Sequence, residues 1–242
     1  MSATKYSVDK ESLAKSLEAL KKFDWGKDRG QLMAIEQTVP AVHSDPEVGI
    51  ELEALLAPML GTQISLAAKD YIVRQLLIIA TPKSLPALTA LLTDKELSHR
   101  ARMVIERMPF DEAGQALRES LTKVSPELKV GVIGSLGNRR DAASVAALGE
   151  LVGDSDPLVA KAAATALGDI GTVEAAKALE AAAAKASADV KPRVGDGLLA
   201  CAERLSRDGD KTQAKDVYKA IEAIDLPKAV KKAATRGKLM VG

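Results

Sequence analysis

Leu76, Ile105, Leu136, Leu167 and Leu198 recur at spacings of 29, 31, 31 and 31 residues, and Leu88, Leu117, Leu148 and Leu179 keep step at 29, 31 and 31. Two apolar registers advancing at one period define a unit of two helices that cannot bury its apolar face alone, so copies must stack. A solenoid of helix pairs is expected. Within one unit, Leu97, Ala101, Val104, Ile105 and Met108 follow the i, i+4, i+7, i+8, i+11 pattern of an amphipathic helix. Steps of 31 from Leu97 reach Leu128, Val159 and Val190, and from Ala101 they reach Val132, Ala163 and Val194. These mark the second helix of each pair. The first helices are marked by Leu85, Leu88, Leu91 and Leu92, by Ala113, Leu117 and Leu121, and by Val145, Leu148, Leu151 and Val152.

The punctuation agrees with this spacing. Ser155-Asp156-Pro157 and Ser125-Pro126 set a capping side chain ahead of a proline that the first helical turn tolerates. Gly168 and Gly171 are expected to make a helix-to-helix turn that needs positive φ. Gly131, Gly134 and Gly137 lie at i, i+3, i+6 on one side of a helix, where they are expected to admit a neighbouring repeat. They lack the Gly-Lys-Ser/Thr ending of a phosphate loop. Connections this short force antiparallel neighbours. The fold class is all-α: an α-α superhelix, a HEAT-like solenoid of antiparallel helix pairs.

Asp156-Pro157-Leu158-Val159, Ala162-Ala163-Ala164, Ala166 to Gly171 and Ala175 to Leu179 resemble the short HEAT repeats of the phycobilisome-lyase-like type. Residues 62–200 resemble four to five such units. In the upstream units Ile105 to Pro109 and Leu136 to Arg140 replace the Leu-Gly-x-Ile-Gly turn, so those units rest on spacing. The chain is also similar to bacterial HEAT-repeat proteins that carry the segment seen here as Phe23 to Arg29 and the Glu-Leu-Ser-His of Glu96 to His99. Residues 1–61 are read as N-terminal helical repeats and cap, from the stripes Leu13, Leu17, Leu20; Leu32, Ile35, Val39; and Val48, Leu52, Leu55, Leu56, Met59. Residues 201–242 are read as a C-terminal cap. There Leu198, Cys201, Ala202, Ala214, Tyr218, Ile221 and Pro227 resemble a tetratricopeptide helix pair, with Gly209-Asp210 in its turn and Lys228, Lys231, Lys232, Arg236 and Lys238 as a polar outer face.

Most chemistries lack their residues. Lys plus Arg number 34 against 33 Asp plus Glu, a net charge of +1, so no global pull towards nucleic acid or an anionic membrane is expected. Aromatics at 2% disfavour stacking platforms for single strands and the base-flipping cleft of HEAT-like DNA glycosylases. The one cysteine, Cys201, excludes an internal disulfide and a multi-thiolate metal site, and is expected to pack as a small apolar residue. His43 and His99 lie 56 residues apart, without the repeated His-Glu pairs that HEAT enzymes of the deoxyhypusine-hydroxylase type use for di-iron. No Gly-x-Ser-x-Gly elbow is present. Neither a catalytic residue, a cofactor nor a metal is expected. Met1 to Lys5 lacks the apolar run of a secretory signal, so a cytoplasmic protein is expected.

The candidate partner-binding residues lie on the second helices, which line the concave face of such a superhelix. Lys69, Lys129 and Lys191 share one column, while Asp70, His99, Lys161 and, offset by one, Arg193 fall near another, with Arg74, Arg100 and Arg102 close by. Two readings stand: a mildly basic groove for an unidentified protein or acidic peptide segment, and ordinary solvated helix surface. Trp25 is expected to plug the turn between the first two helices, with an interface anchor as the alternative. Arg139-Arg140 occupies the turn where Ile170-Gly171 sits one repeat later. The function expected is a non-enzymatic protein-interaction scaffold. The alternatives are an accessory protein resembling phycobilisome lyases and a regulatory or structural module of a larger protein.

Overall fold

The computed structural model describes residues 9–241, so the Met1 to Lys5 stretch lies outside the described residues. The α-helices run α1 (Lys10–Lys21), α2 (Met33–Thr38), α3 (Pro46–Leu56), α4 (Leu66–Ile79), α5 (Leu85–Ala90), α6 (Ser98–Arg107), α7 (Asp111–Ser120), α8 (Pro126–Arg139), α9 (Val145–Leu151), α10 (Pro157–Ile170), α11 (Val173–Ala183), α12 (Lys191–Arg207), α13 (Lys211–Ala223) and α14 (Lys228–Met240). Among the described residues there is no strand, and no helix is long and apolar enough to cross a membrane. The fold is an all-α, HEAT-like solenoid. Both founding columns are buried completely: Leu76, Ile105, Leu136, Leu167 and Leu198, with Leu88, Leu117, Leu148 and Leu179, are all 0% exposed. The column begun by Leu97 is buried at Val159 and Val190 but only half-buried at Leu128, in the first turn of α8.

The chain divides into two compact units, one ending at Ala116 and one beginning at Leu117. In the first, α4 packs on α3 and α6, α5 packs on α6, and α1 packs on α2. The polar joint of this unit is Glu53 on α3, only 1% exposed. Its Oε1 accepts from the backbone N–H of Thr81 (2.7 Å) and Ser84 (3.1 Å), while Oε2 accepts from the Thr81 hydroxyl (2.7 Å). A carboxylate on one helix thus satisfies the amide groups that open the next first helix, which have no partner inside it.

In the second unit α8, α10 and α12 lie side by side as one layer, and α9, α11 and α13 follow one another in the other. Close approach within the α8–α10–α12 layer rests on small residues. A Cβ placed on Gly137 would stand 2.9 Å from the Ala166 Cα, and one on Gly168 would stand 2.8 Å from the Gly197 Cα. Gly134 has nothing within 4 Å, so of Gly134 and Gly137 only Gly137 meets a neighbouring helix. Gly168 lies inside α10, not in a turn. Gly171 alone takes the left-handed conformation there, with φ 70, as the C-cap. Downstream, α12 packs on both α10 and α13, running unbroken through residues 200 and 201 and serving the stack and the terminal helices alike. Leu198, Cys201 and Ala202 of α12 and Ala214, Tyr218 and Ile221 of α13 are buried, and Gly209 (φ 94) makes the turn. Burial pushes the Cys201 thiol up to about 12.

Arg140 caps α8 at the place that Gly171 holds one repeat later, and it adopts the same left-handed backbone, with φ 53. An L-residue with a Cβ is strained there, and glycine is not. Arg140→Gly is therefore expected to stabilise the second unit by about 1 kcal/mol. Denaturant melts check this, and a loss of stability would show that the Arg140 side chain outweighs its backbone strain.

Candidate interaction surface

The cations predicted to make a groove are drawn from both units. In the first, Lys69 is half-buried and Arg74 exposed on α4, while His99 and Arg102 sit on α6. Asp70 is not on the solvated face. It is 5% exposed, and its carboxylate is held by Arg74 Nε at 2.9 Å and by Arg100 from α6. A buried carboxylate needs such partners, and this one ties α4 to α6. Arg102 donates to His99 Nδ1 at 3.1 Å, and because a guanidinium cannot accept, that nitrogen is the acceptor and Nε2 carries the proton. Burial pushes the Arg102 pKa down, with Glu106 acting against it.

In the second unit Lys129 is half-buried on α8, Lys161 lies on α10, and Lys191 and Arg193 open α12. Three of these four hold an acid of the chain itself. Lys161 Nζ is 2.9 Å from Asp189, Lys191 Nζ is 2.5 Å from Asp225, and Arg193 is 3.4 Å from Asp196. The Ser187 hydroxyl and then Lys161 hold the Asp189 carboxyl below its ordinary range, and Lys191 does the same for Asp225. What this layer presents at neutral pH is chiefly a row of ion pairs. Single-sequence reading finds the cations but not the acids, because Asp225 is 34 residues from Lys191 and lies in the connection between α13 and α14.

The Phe23 to Arg29 segment makes a separate feature of the first unit. Phe23, only 8% exposed, packs against Tyr71 of α4 with ring centroids 6.2 Å apart, and its carbonyl accepts from the Ser65 hydroxyl. Trp25 does not plug the turn: it is 63% exposed. Phe23 fills that place instead. The indole stands at the edge of a cavity of about 160 Å³ lined by Lys27, Arg29, Asp70, Tyr71 and Arg74 among others. The Arg29 guanidinium lies 5.9 Å from the Tyr71 ring centroid and pairs with Glu36 at 2.6 Å, which raises its pKa. Burial raises that of Tyr71. Among the described residues, no group of three or more His, Cys, Asp or Glu side chains is placed to hold a metal ion.

The family model for HEAT repeats matches residues 114–198, the segment containing α8 to α11. Residues 114–198 are HEAT repeats. No curated protein matches its sequence. Among solved structures it is similar to an engineered protein at 19% identity, covering 91% of this chain and 97% of that one with a TM-score of 0.41. It is also similar to human deoxyhypusine hydroxylase in complex with glycerol, at 15% identity over 96% and 98% of the two chains, with a TM-score of 0.38.

Proposed function

We propose that this chain is a non-enzymatic scaffold of the cytoplasm that holds a partner protein along the layer of second helices. The observation that carries this reading is the side-by-side packing of α8, α10 and α12, which sets Lys129, Lys161, Lys191 and Arg193 on successive elements of one layer. Repeats of one period make a continuous surface out of residues far apart in sequence, and such surfaces bind extended segments. An acidic partner segment suits it. Its carboxylates exchange with Asp189 and Asp225, whose side chains are 55% and 92% exposed against 37% for Lys161 and 25% for Lys191, and a surface ion pair is worth only about 0–1 kcal/mol.

Replacing Lys129, Lys161 and Lys191 together by Glu is expected to lower capture of acidic partners and flatten its salt dependence, with the melting curve almost unchanged. Quantitative pull-downs at two ionic strengths check this. A variant that folds normally and keeps every partner at wild-type level would place the binding surface elsewhere.

A further inference from the structure

We infer that the cavity beside Trp25 is a docking pocket for one bulky apolar side chain of a partner protein, set in a segment flanked by Asp or Glu. The inference deepens the scaffold reading, because it names a second place on the chain where a partner is held. Trp25 is the only tryptophan of a chain with six aromatic residues, and Phe23 and Tyr71 line the same cavity. A soluble helical protein gains nothing in folding from a large indole left 63% exposed, whereas Trp is the residue type most enriched at binding hot spots.

Volume selects the occupant. At about 160 Å³ the cavity is well below the ~300–1,000 Å³ of small-molecule sites, yet it matches the ~150 Å³ that accepts a benzene-sized group. Phe, Leu, Ile or Met fits. Charge selects the flanks: Lys27, Arg29 and Arg74 line the cavity against a single acid, Asp70. Both oxygens of Asp70 are already taken, by Arg74 and Arg100. Lys27 extends its ammonium to the Lys22 carbonyl and so keeps its charge, and the lining carries a formal excess of two positive charges, which Glu36, paired with Arg29 from outside the lining, reduces to one.

The loop is also set in advance. Gly26 takes φ 82, the Lys27 amide donates to the Asp24 carbonyl at 3.1 Å, the Gly30 amide donates to Asp28, and Ser65 holds the Phe23 carbonyl. A partner meets a loop whose backbone needs little further ordering, which lowers one of the main costs of association.

The test is selection of a random heptapeptide library on the immobilised full chain, followed by titration of the enriched peptides while Trp25 emission is recorded. The expected result is enrichment of sequences with one large apolar residue between acids and a saturable blue shift of the single indole. Trp25→Ala should weaken binding about tenfold or more, and Lys27→Glu should weaken it severalfold, each with an unchanged melting curve. Both side chains are exposed, so both variants are expected to fold. Wild-type emission alone still decides the matter if one of them does not. No enrichment, enrichment of basic peptides, or binding with no change in Trp25 emission would overturn the proposal. Binding that is lost in Trp25→Ala but kept in the triple Lys→Glu variant supports this pocket even where the second-helix surface holds nothing.

Discussion

Leu136→Ala is expected to destabilise the second unit by about 2–5 kcal/mol, the range for truncating a fully buried leucine whose surroundings relax only in part. Leu136 is 0% exposed on α8, whose neighbour α10 carries the equivalent Leu167, also 0% exposed. Leu136→Asp is expected to be worse. It removes the same contacts and adds a carboxylate with no partner, a penalty on the scale of the ~5–15 kcal/mol that holds an entire domain together. Because each repeat is covered by its neighbours, the damage should spread along α8, α10 and α12 and not stay at one site. Urea melts followed by circular dichroism measure both. A change below about 0.5 kcal/mol for Leu136→Ala, the size typical of a surface substitution, would show that the 31-residue register is wrong.

That register was legible because apolar burial repeats with helix geometry, so position in the sequence reports which side chains face inward. Polar joints are not legible in the same way. Glu53 meets Thr81 and Ser84 from 28 and 31 residues away, and no local spacing announces that a glutamate on one helix caps another. Arg140 is a middle case: its place in the repeat aligns it with Gly171, and the shared left-handed backbone follows from that alignment and not from its own preference. Gly168 is the converse case, a glycine beside a turn that lies inside α10. Glycine serves turns and close packing alike, and only the neighbouring helix distinguishes them.

The candidate surface was legible in its cations and not in their compensation. Lys161, Lys191 and Arg193 stand on the second helices as the period requires, but Asp189, Asp225 and Asp196 neutralise them, and two of those acids lie outside the helix of the cation they pair with. Trp25 carried a usable signal. It sits in Asp24-Trp25-Gly26-Lys27-Asp28-Arg29, where four of six residues are charged and none of the others offers an apolar face to bury an indole. Exposure was the physical consequence. The average tendency of tryptophan towards burial concealed it.

Gly197→Ala and Gly134→Ala are expected to move stability in opposite directions, although helix propensity alone gives both a gain of about 1 kcal/mol. Gly134 lies within α8 with nothing within 4 Å of an added Cβ, so propensity decides and the variant should be the more stable. At Gly197 the added Cβ would stand 2.6 Å from the Ala164 carbonyl oxygen and 3.1 Å from Leu179. The first of these is backbone and cannot rotate away. The α12 helix must then retreat from α10, opening the seam that Gly168 and Gly197 close, at a cost of about 1–3 kcal/mol or more for forced overpacking. The net expectation for Gly197→Ala is a loss. Melts of the two variants beside the wild type decide it, and a gain at Gly197 would mean that α10 and α12 are not in backbone contact.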